Sequence, residues 1–428
     1  TEVDFALSGA RLGDSQELIF YEPGIRTVAL EPQKDGTVKA RLALAADCRV
    51  GQHGLRVRTA SGISNLRLVS VGVFPETVEA EPNNDFAKPQ KIPLNVTVNG
   101  VVENEDVDYF AVEAKKGQRL AVEVEGVRLG ETFFDPAVAI MNLERFVLAG
   151  ADDTPLVRQD AAISAVVPAD GTYVVQVRET SYRGSSACRY RLHVGTFPRP
   201  QAIYPPGGEP GQALEVRWIG DAAGEWTERV TLPPQPDPNA GLLAHDAQAT
   251  APSLNPFRVV AIKNVMEAEP NDAPAQGTAG EAPAAFNGIL QKPDDVDHFK
   301  FPAKKGQAFE VRVHARSVRS PVDSVLSVTR SSGAGVGSND DADTPDSYLR
   351  FTASEDDQYI VAVRDQLNQG GPEYVYRVEV TPVQPRLTVS LPERNQYEDV
   401  TAPVPAGNRL AVMAAVQAGL GVGLMPRF

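Results

Sequence analysis

The chain turns on Glu79-Ala80-Glu81-Pro82-Asn83-Asn84-Asp85, which returns almost unchanged about 188 residues later as Glu267-Ala268-Glu269-Pro270-Asn271-Asp272. Each copy is followed by an Asp-x-Asp ahead of an aromatic pair: Asp106-Val107-Asp108-Tyr109-Phe110, then Asp295-Val296-Asp297-His298-Phe299. Proline breaks a helix and biases the residue before it toward extended geometry. In extended chain, residues two apart share a face. Glu79, Glu81 and Asn83 therefore point one way, and so do Asp106 and Asp108. Four carboxylates and an amide oxygen meeting from two such segments form a hard-oxygen cage of the kind calcium takes, with six to eight oxygens. The alternative is a solvated acidic linker running into an acidic strand edge. Repetition of both halves together favours the cage.

Outward from the two motifs, the strands align one for one. Leu120, Val122 and Val124 alternate with Arg119, Glu123 and Glu125, and Phe309, Val311 and Val313 alternate with Glu310, Arg312 and His314. Tyr173-Val174-Val175-Gln176-Val177-Arg178 is answered by Tyr359-Ile360-Val361-Ala362-Val363-Arg364. Lys115-Lys116-Gly117-Gln118 and Lys304-Lys305-Gly306-Gln307 read as equivalent hairpin turns. Many short strands of period two, with helix nearly absent, predict antiparallel β-sandwiches. These two modules span 78–197 and 266–383.

Residues 1–75 read as a smaller all-β domain, from runs such as Leu18-Ile19-Phe20-Tyr21 and the alternating Val38-Lys39-Ala40-Arg41-Leu42. Residues 198–265 read as a degenerate copy of it, with Leu214-Glu215-Val216-Arg217-Trp218-Ile219-Gly220 matching the pattern of Thr1-Glu2-Val3-Asp4-Phe5-Ala6-Leu7-Ser8-Gly9. On that match, the first copy lacks an opening like Tyr204-Pro205-Pro206-Gly207-Gly208. Residues 384–428 begin a further, truncated β-domain. Their apolar stretch Leu410–Pro426 is too short and too glycine-rich for a membrane span.

The totals agree with an array of modules, since 428 residues exceed one compact core. A formal charge of −15 argues against nucleic acid and anionic membranes as partners, both of which need clustered lysine and arginine. Thr1-Glu2-Val3-Asp4 has neither the basic start nor the apolar core of a signal peptide. The two cysteines, Cys48 and Cys188, lie in different domains and are expected to be unpaired.

Both long modules resemble bacterial pre-peptidase C-terminal (PPC) domains, jelly-roll-like β-sandwiches appended to many secreted peptidases and similar to the collagen-binding domains of collagenases. The Glu-x-Glu-Pro-Asn motif, the Asp-x-Asp-aromatic-Phe strand, the Lys-Gly-Gln turn and Asp170-Gly171-Thr172-Tyr173 carry the resemblance. The small domains resemble immunoglobulin-like IPT/TIG modules more weakly. The resemblance implies calcium ligation by Glu79, Glu81, Asn83, Asn84, Asp106 and Asp108. In the second copy it implies Glu267, Glu269, Asn271, Asp272, Asp295 and Asp297, with Glu105 and Asp294 as further candidates. Asn84 stands where the second copy has Asp272, so the first site is expected to be the weaker.

Chemistry of other kinds finds no support. The five histidines form no His-Glu-x-x-His and no zinc pair. His193 corresponds to Glu379 and His298 to Tyr109, so neither position demands imidazole. No Gly-x-Ser-x-Gly elbow occurs, and Gly333-Ala334-Gly335-Val336-Gly337 has the wrong spacing for a phosphate loop and reads as a hairpin tip. Asp152-Asp153 and Asp340-Asp341 read as turn formers. Asn95-Val96-Thr97 matches a glycosylation acceptor only weakly. The expectation is a non-catalytic, extracytoplasmic fragment of a larger chain with calcium-stabilised modules. A matrix-protein or polysaccharide binder is the alternative, and exposed tyrosines on one sheet (candidates Tyr182, Tyr348, Tyr374) would favour it.

Overall fold

A computed structural model describes residues 1–34, 36–130, 132–342, 344–384, 391–394 and 399–402. Among them the only helical elements are four 3-10 turns, and all else regular is strand. Residues Thr1–Thr381 form one compact unit.

Module 1 is two five-stranded sheets. One runs, in spatial order, Val147–Ala151, Pro136–Met141, Gly171–Glu179, Val107–Ala114, Gln90–Lys91. The other runs Ala162–Val166, Arg119–Glu125, Arg189–Gly195, Val96–Val101, Glu76–Val78. Alternation aims Phe110, Val112, Leu120, Val122, Val124, Val175 and Val177 into one core, each worth about 1.5–3 kcal/mol when fully buried. Module 2 repeats the strand order, and its core is more aromatic, with Phe301, Phe309, Phe351 and Tyr359 in mutual ring contact.

Two expectations need correction. The Lys-Lys-Gly-Gln turns are not hairpins: Val107–Ala114 and Arg119–Glu125 belong to opposite sheets, so the turn carries the chain across the sandwich. Gly117 at φ 79 and Gly306 at φ 88 supply the left-handed residue that the crossing needs. The sheets are also not purely antiparallel. Glu76–Val78 runs parallel to Val96–Val101, and Asn264–Met266 runs parallel to Ala284–Ile289. This parallel pairing sets the position of the acidic motif that follows each incoming strand.

The first small domain packs two three-stranded sheets around Leu18, Leu42, Leu55 and Val57. The second is built on Ala202–Tyr204, Ala213–Ile219 and Trp226–Thr231, with Trp218 stacked on Trp226 at 5.6 Å. It joins module 1 through a buried ion network. Glu123, fully buried, faces Arg199 at 2.7 Å and Arg128 at 2.9 Å, and accepts from Ser253 Oγ at 2.6 Å. A buried aspartate closes one 3-10 turn in each module, Val127–Leu129 in the first and Arg316–Val318 in the second. Asp160 accepts from the N–H groups of Gly126, Val127 and Arg128, and Asp346 from those of Ala315, Arg316 and Ser317.

Within Pro382–Phe428, Leu391–Arg394 pairs with Asp399–Ala402 as a hairpin. The rest of the expected fifth domain, including Leu410–Pro426, lies outside the described residues. Among the described residues no helix is long and apolar enough to cross a membrane.

Candidate metal centre

Parallel pairing brings the end of the incoming strand over Val96–Val101. Glu79 N donates to Asn99 O at 3.1 Å, and Glu79 Oε1 accepts from Val101 N at 2.7 Å. The carboxylate thus folds back over Gly100, where a Cβ would overlap both Glu79 and the Tyr190 ring end. Glycine is required there for close approach. Gly288 plays the same part against Glu267 and Tyr376.

Asp108 reaches the same point from the Val107–Ala114 strand and is fully buried. Oxygens of Glu79, Glu81 and Asp108 all lie within 4.8 Å of one another, as do those of Glu267, Glu269 and Asp297. Asn83, 1% exposed, leaves both amide atoms without a hydrogen-bond partner, and Asp108 Oδ1 is likewise unpartnered. Such burial is costly unless something else binds these atoms.

The Tyr190 hydroxyl lies 2.9 Å from Glu79 Oε2 and 2.8 Å from Asp108 Oδ2. A phenol has one proton to donate, so with both carboxylates ionised one of these contacts sets oxygen against oxygen. Burial, followed by the negative charges of Glu79, Asp106 and Glu81, pushes Asp108 up to about 8 against the opposing Tyr190 hydrogen bond. Burial also raises Glu79, Glu267 and Asp297. In module 2, one atom of the Asn271 amide faces Asp297 Oδ1 at 2.9 Å and Glu269 Oε2 at 3.2 Å. With nitrogen there it donates to both, and with oxygen there three oxygens converge. Amide orientation is an assignment, and both arrangements describe a cluster short of positive charge.

The remaining candidates are distributed around this centre. Asp106 accepts from Asn84 Nδ2 at 2.8 Å, Val107 N at 2.9 Å and Glu103 N at 3.2 Å. In module 2, Asp272 sits against Asp295, whose Oδ1 is buried and unpartnered, with Lys292 Nζ 3.6 Å from Asp272. Glu105 and Asp294 are exposed at left-handed φ of 59 and 63. The donor set is all oxygen, which suits calcium or magnesium rather than zinc. The residues present therefore fit a divalent hard cation.

Tyr190, Tyr376, Gly100 and Gly288 went unread in the sequence as site residues. Their recurrence at matching places in both copies was the available signal. The other sequence features sit as follows. Cys48 and Cys188 are free, and Thr97 of the glycosylation-like triplet is fully buried. Asp152 and Asp340 each accept from the next backbone N–H. Tyr182, Tyr348 and Tyr374 do not line one sheet. Tyr348 lies in the Tyr348–Thr352 strand of module 2, Tyr374 precedes that module's last strand, and Tyr182 follows Gly171–Glu179 of module 1.

Each long module is thus a two-sheet β-sandwich with a cross-sheet turn and an acidic cluster where the incoming strand meets it. Residues 295–365 match the model of the bacterial pre-peptidase C-terminal domain, and module 2 carries a domain of that family. A probable subtilase-type serine protease of Deinococcus radiodurans is 29% identical over 166 residues, 35% of this chain and 23% of the relative. The chain thus spans less than a quarter of that protein's length. Among solved structures, the pre-peptidase C-terminal domain of a Bacillus anthracis collagenase aligns with 26% of this chain and 100% of that one, at 16% identity and TM-score 0.22. The M60 catalytic domain with two CBM51 domains from Clostridium perfringens ZmpB aligns with 84% of this chain and 51% of that one, at 9% identity and TM-score 0.17.

Proposed function

We propose that the chain is a non-catalytic, extracytoplasmic accessory segment whose two long modules each hold calcium where the incoming strand meets the sandwich. The observation that carries this reading is the buried amide of Asn83, unpartnered beside three carboxylates whose oxygens lie within 4.8 Å of one another. Glu79, Glu81 and Asp108 would hold the ion in module 1, with Asn83 alongside. Glu267, Glu269 and Asp297 would hold it in module 2, with Asn271 alongside. Bound there, calcium supplies the positive charge that lets the buried carboxylates ionise together. Glu79 and Glu81 belong to the linker, and Asp108 belongs to the sandwich. Charge compensation between them therefore ties one to the other and fixes the angle at which each small domain enters its module. The hydroxyl of Tyr190 orients two of the three carboxylates.

The test is isothermal titration of calcium into metal-stripped protein, followed by thermal melts with calcium and with chelator. Saturable binding and a raised melting temperature are expected. No heat of binding and superimposable melts would remove the reading. Because the subtilase-type relative extends well beyond this region, the array is further proposed to accompany a catalytic domain elsewhere in a longer chain. Sequencing the complete gene tests that.

A further inference from the structure

In a chain of formal charge −15, two arginines are turned toward each other where the long modules approach. Module 1 supplies Arg158, which closes the 3-10 turn Pro155–Val157. Module 2 supplies Arg319, which closes the 3-10 turn Arg316–Val318. The second small domain brings these turns together. Its Ser253 donates to Glu123, which also faces Arg128 of module 1. Two residues on, its Asn255–Pro256 strand lies against Arg316–Val318. Asp160, two residues after Arg158, pairs with Arg128 at 2.6 Å. A buried ion network and packed backbone thus fix the neighbourhood, and the two arginines take no part in holding it.

Both arginines sit in backbone that is unfavourable for a residue with a side chain. Arg319 has φ 64 and ψ 25, and Arg158 has φ 68 and ψ −121. At the place of Arg319 module 1 has Gly130, at φ 70, which makes the same turn without that cost. The turn therefore does not call for arginine. Neither guanidinium pairs with a carboxylate or makes a hydrogen bond among the described residues. Burial, followed by the like charges of Arg158 and Arg128, pushes Arg319 down against the opposing charge of Asp346. Asp346 already accepts from the N–H groups of Ala315, Arg316 and Ser317. Arg128 is neutralised by Glu123 and Asp160, so the uncompensated charge belongs to Arg158 and Arg319. Backbone strain of this kind persists at ligand clamps, where the surrounding structure over-determines it.

We propose that Arg158 and Arg319 form a site for a tetrahedral oxyanion, sulfate or phosphate, bound between the two long modules. Each guanidinium presents a planar fork of N–H donors that matches two oxygens of such an anion. A dianion answers both positive charges, and the like-charge approach becomes a pair of charge-assisted contacts from opposite sides. Bound there, the anion links module 1 to module 2 across the second small domain. Neither arginine is among the residues of the acidic centres, so the site does not depend on calcium.

The probe is inorganic sulfate, titrated calorimetrically in chelator and low chloride into the full 428-residue chain, beside glucose 6-sulfate as the esterified form. Saturable one-to-one binding is expected, and the tighter of the two compounds tells a free anion from an ester. Working in chelator keeps failure here apart from failure of the metal reading. Arg319→Gly, which installs the residue module 1 uses, and Arg158→Gly are each expected to weaken binding at least about tenfold. In sulfate-free buffer both variants are expected to melt no lower than the unaltered chain, because each removes a like charge and a left-handed side chain. An arginine with a merely structural role would give a lower melting temperature. No saturable heat with either compound, undiminished binding in both variants, or a lowered melting temperature of both in sulfate-free buffer overturns the proposal.

Discussion

Glu125 Oε1 lies 3.1 Å from His193 Nε2 on the outer face of module 1, and module 2 holds the same pair with the partners exchanged between strands. There the imidazole is His314, on the counterpart of the Glu125 strand, and the carboxylate is Glu379, on the counterpart of the His193 strand, 3.3 Å apart. Arg191 in one module and Arg377 in the other flank the acid. Neither site requires a given residue at a given position; each requires one acid and one imidazole across the strand pair. Burial pushes Glu125 up, but His193, Arg128 and Arg191 outweigh it and hold the carboxyl at about 2.

The exchange predicts compensation. Removing one member of a buried hydrogen-bonded pair leaves the other unsatisfied, at a cost of about 1–3 kcal/mol. Glu125→His and His193→Glu singly are therefore expected to destabilise module 1 by that order. The double substitution rebuilds the arrangement of module 2 and is expected to recover more than half of the loss. Urea denaturation of the four proteins measures the coupling, and strictly additive losses would count against it.

How much of this was legible in the sequence follows from the range of each interaction. Leu120, Val122 and Val124 announce a strand because their alternation is local, and Glu79 and Glu81 share a face for the same reason. The direction of the incoming strand is not local, since period-two patterning is the same for parallel and antiparallel partners. Tyr190 reaches Asp108 from 82 positions away, and Ser253 reaches Glu123 from 130. No spacing rule connects them. His193 aligned with Glu379 looked like a position indifferent to imidazole. The compensating His314 shows only once the two strands lie side by side.

Calcium is expected to raise the melting temperature by about 5–10 °C at a hundredfold excess over Kd, from a binding contribution of about 2.7 kcal/mol. Asp108→Ala should cancel the part of the shift that belongs to module 1 and leave that of module 2, with Asp297→Ala doing the reverse. Differential scanning calorimetry resolves the two. A full shift retained in the double variant would place the ion elsewhere.

Without calcium, the same carboxylates set a pH dependence. Asp108 is raised in the fold to about 8 from its ordinary 3.8. The folded state therefore holds the proton more tightly, and this group's contribution is full below about pH 4 and lost as pH rises toward 8. In chelator, the melting temperature should fall across that interval, and Asp108→Asn should flatten the fall. Calcium should do likewise by replacing the proton. His314 acts in the opposite sense: burial lowers it below 6.5, so its contribution is present at neutral pH and lost as pH falls. Melts of Asp108→Asn and His314→Gln between pH 5 and 8 separate the two.

The two centres differ most simply at Asn84 and Asp272. Asn84 Nδ2 donates to Asp106 at 2.8 Å and needs no ion to satisfy that carboxylate. Asp272 instead meets Asp295, which burial first and then this neighbour push up, with Lys292 Nζ 3.6 Å from Asp272, so module 2 sets carboxylate against carboxylate where module 1 has an internal donor. Asn84→Asp is therefore expected to lower stability in chelator, because Asp106 loses its donor and gains a like charge. In calcium the same substitution is expected to tighten binding at module 1 by about tenfold, or ~1.4 kcal/mol, and to restore the lost stability. Calorimetric titration of Asn84→Asp beside Asp272→Asn measures both directions. Unchanged affinity in each would mean that this pair shapes the loop without reaching the ion.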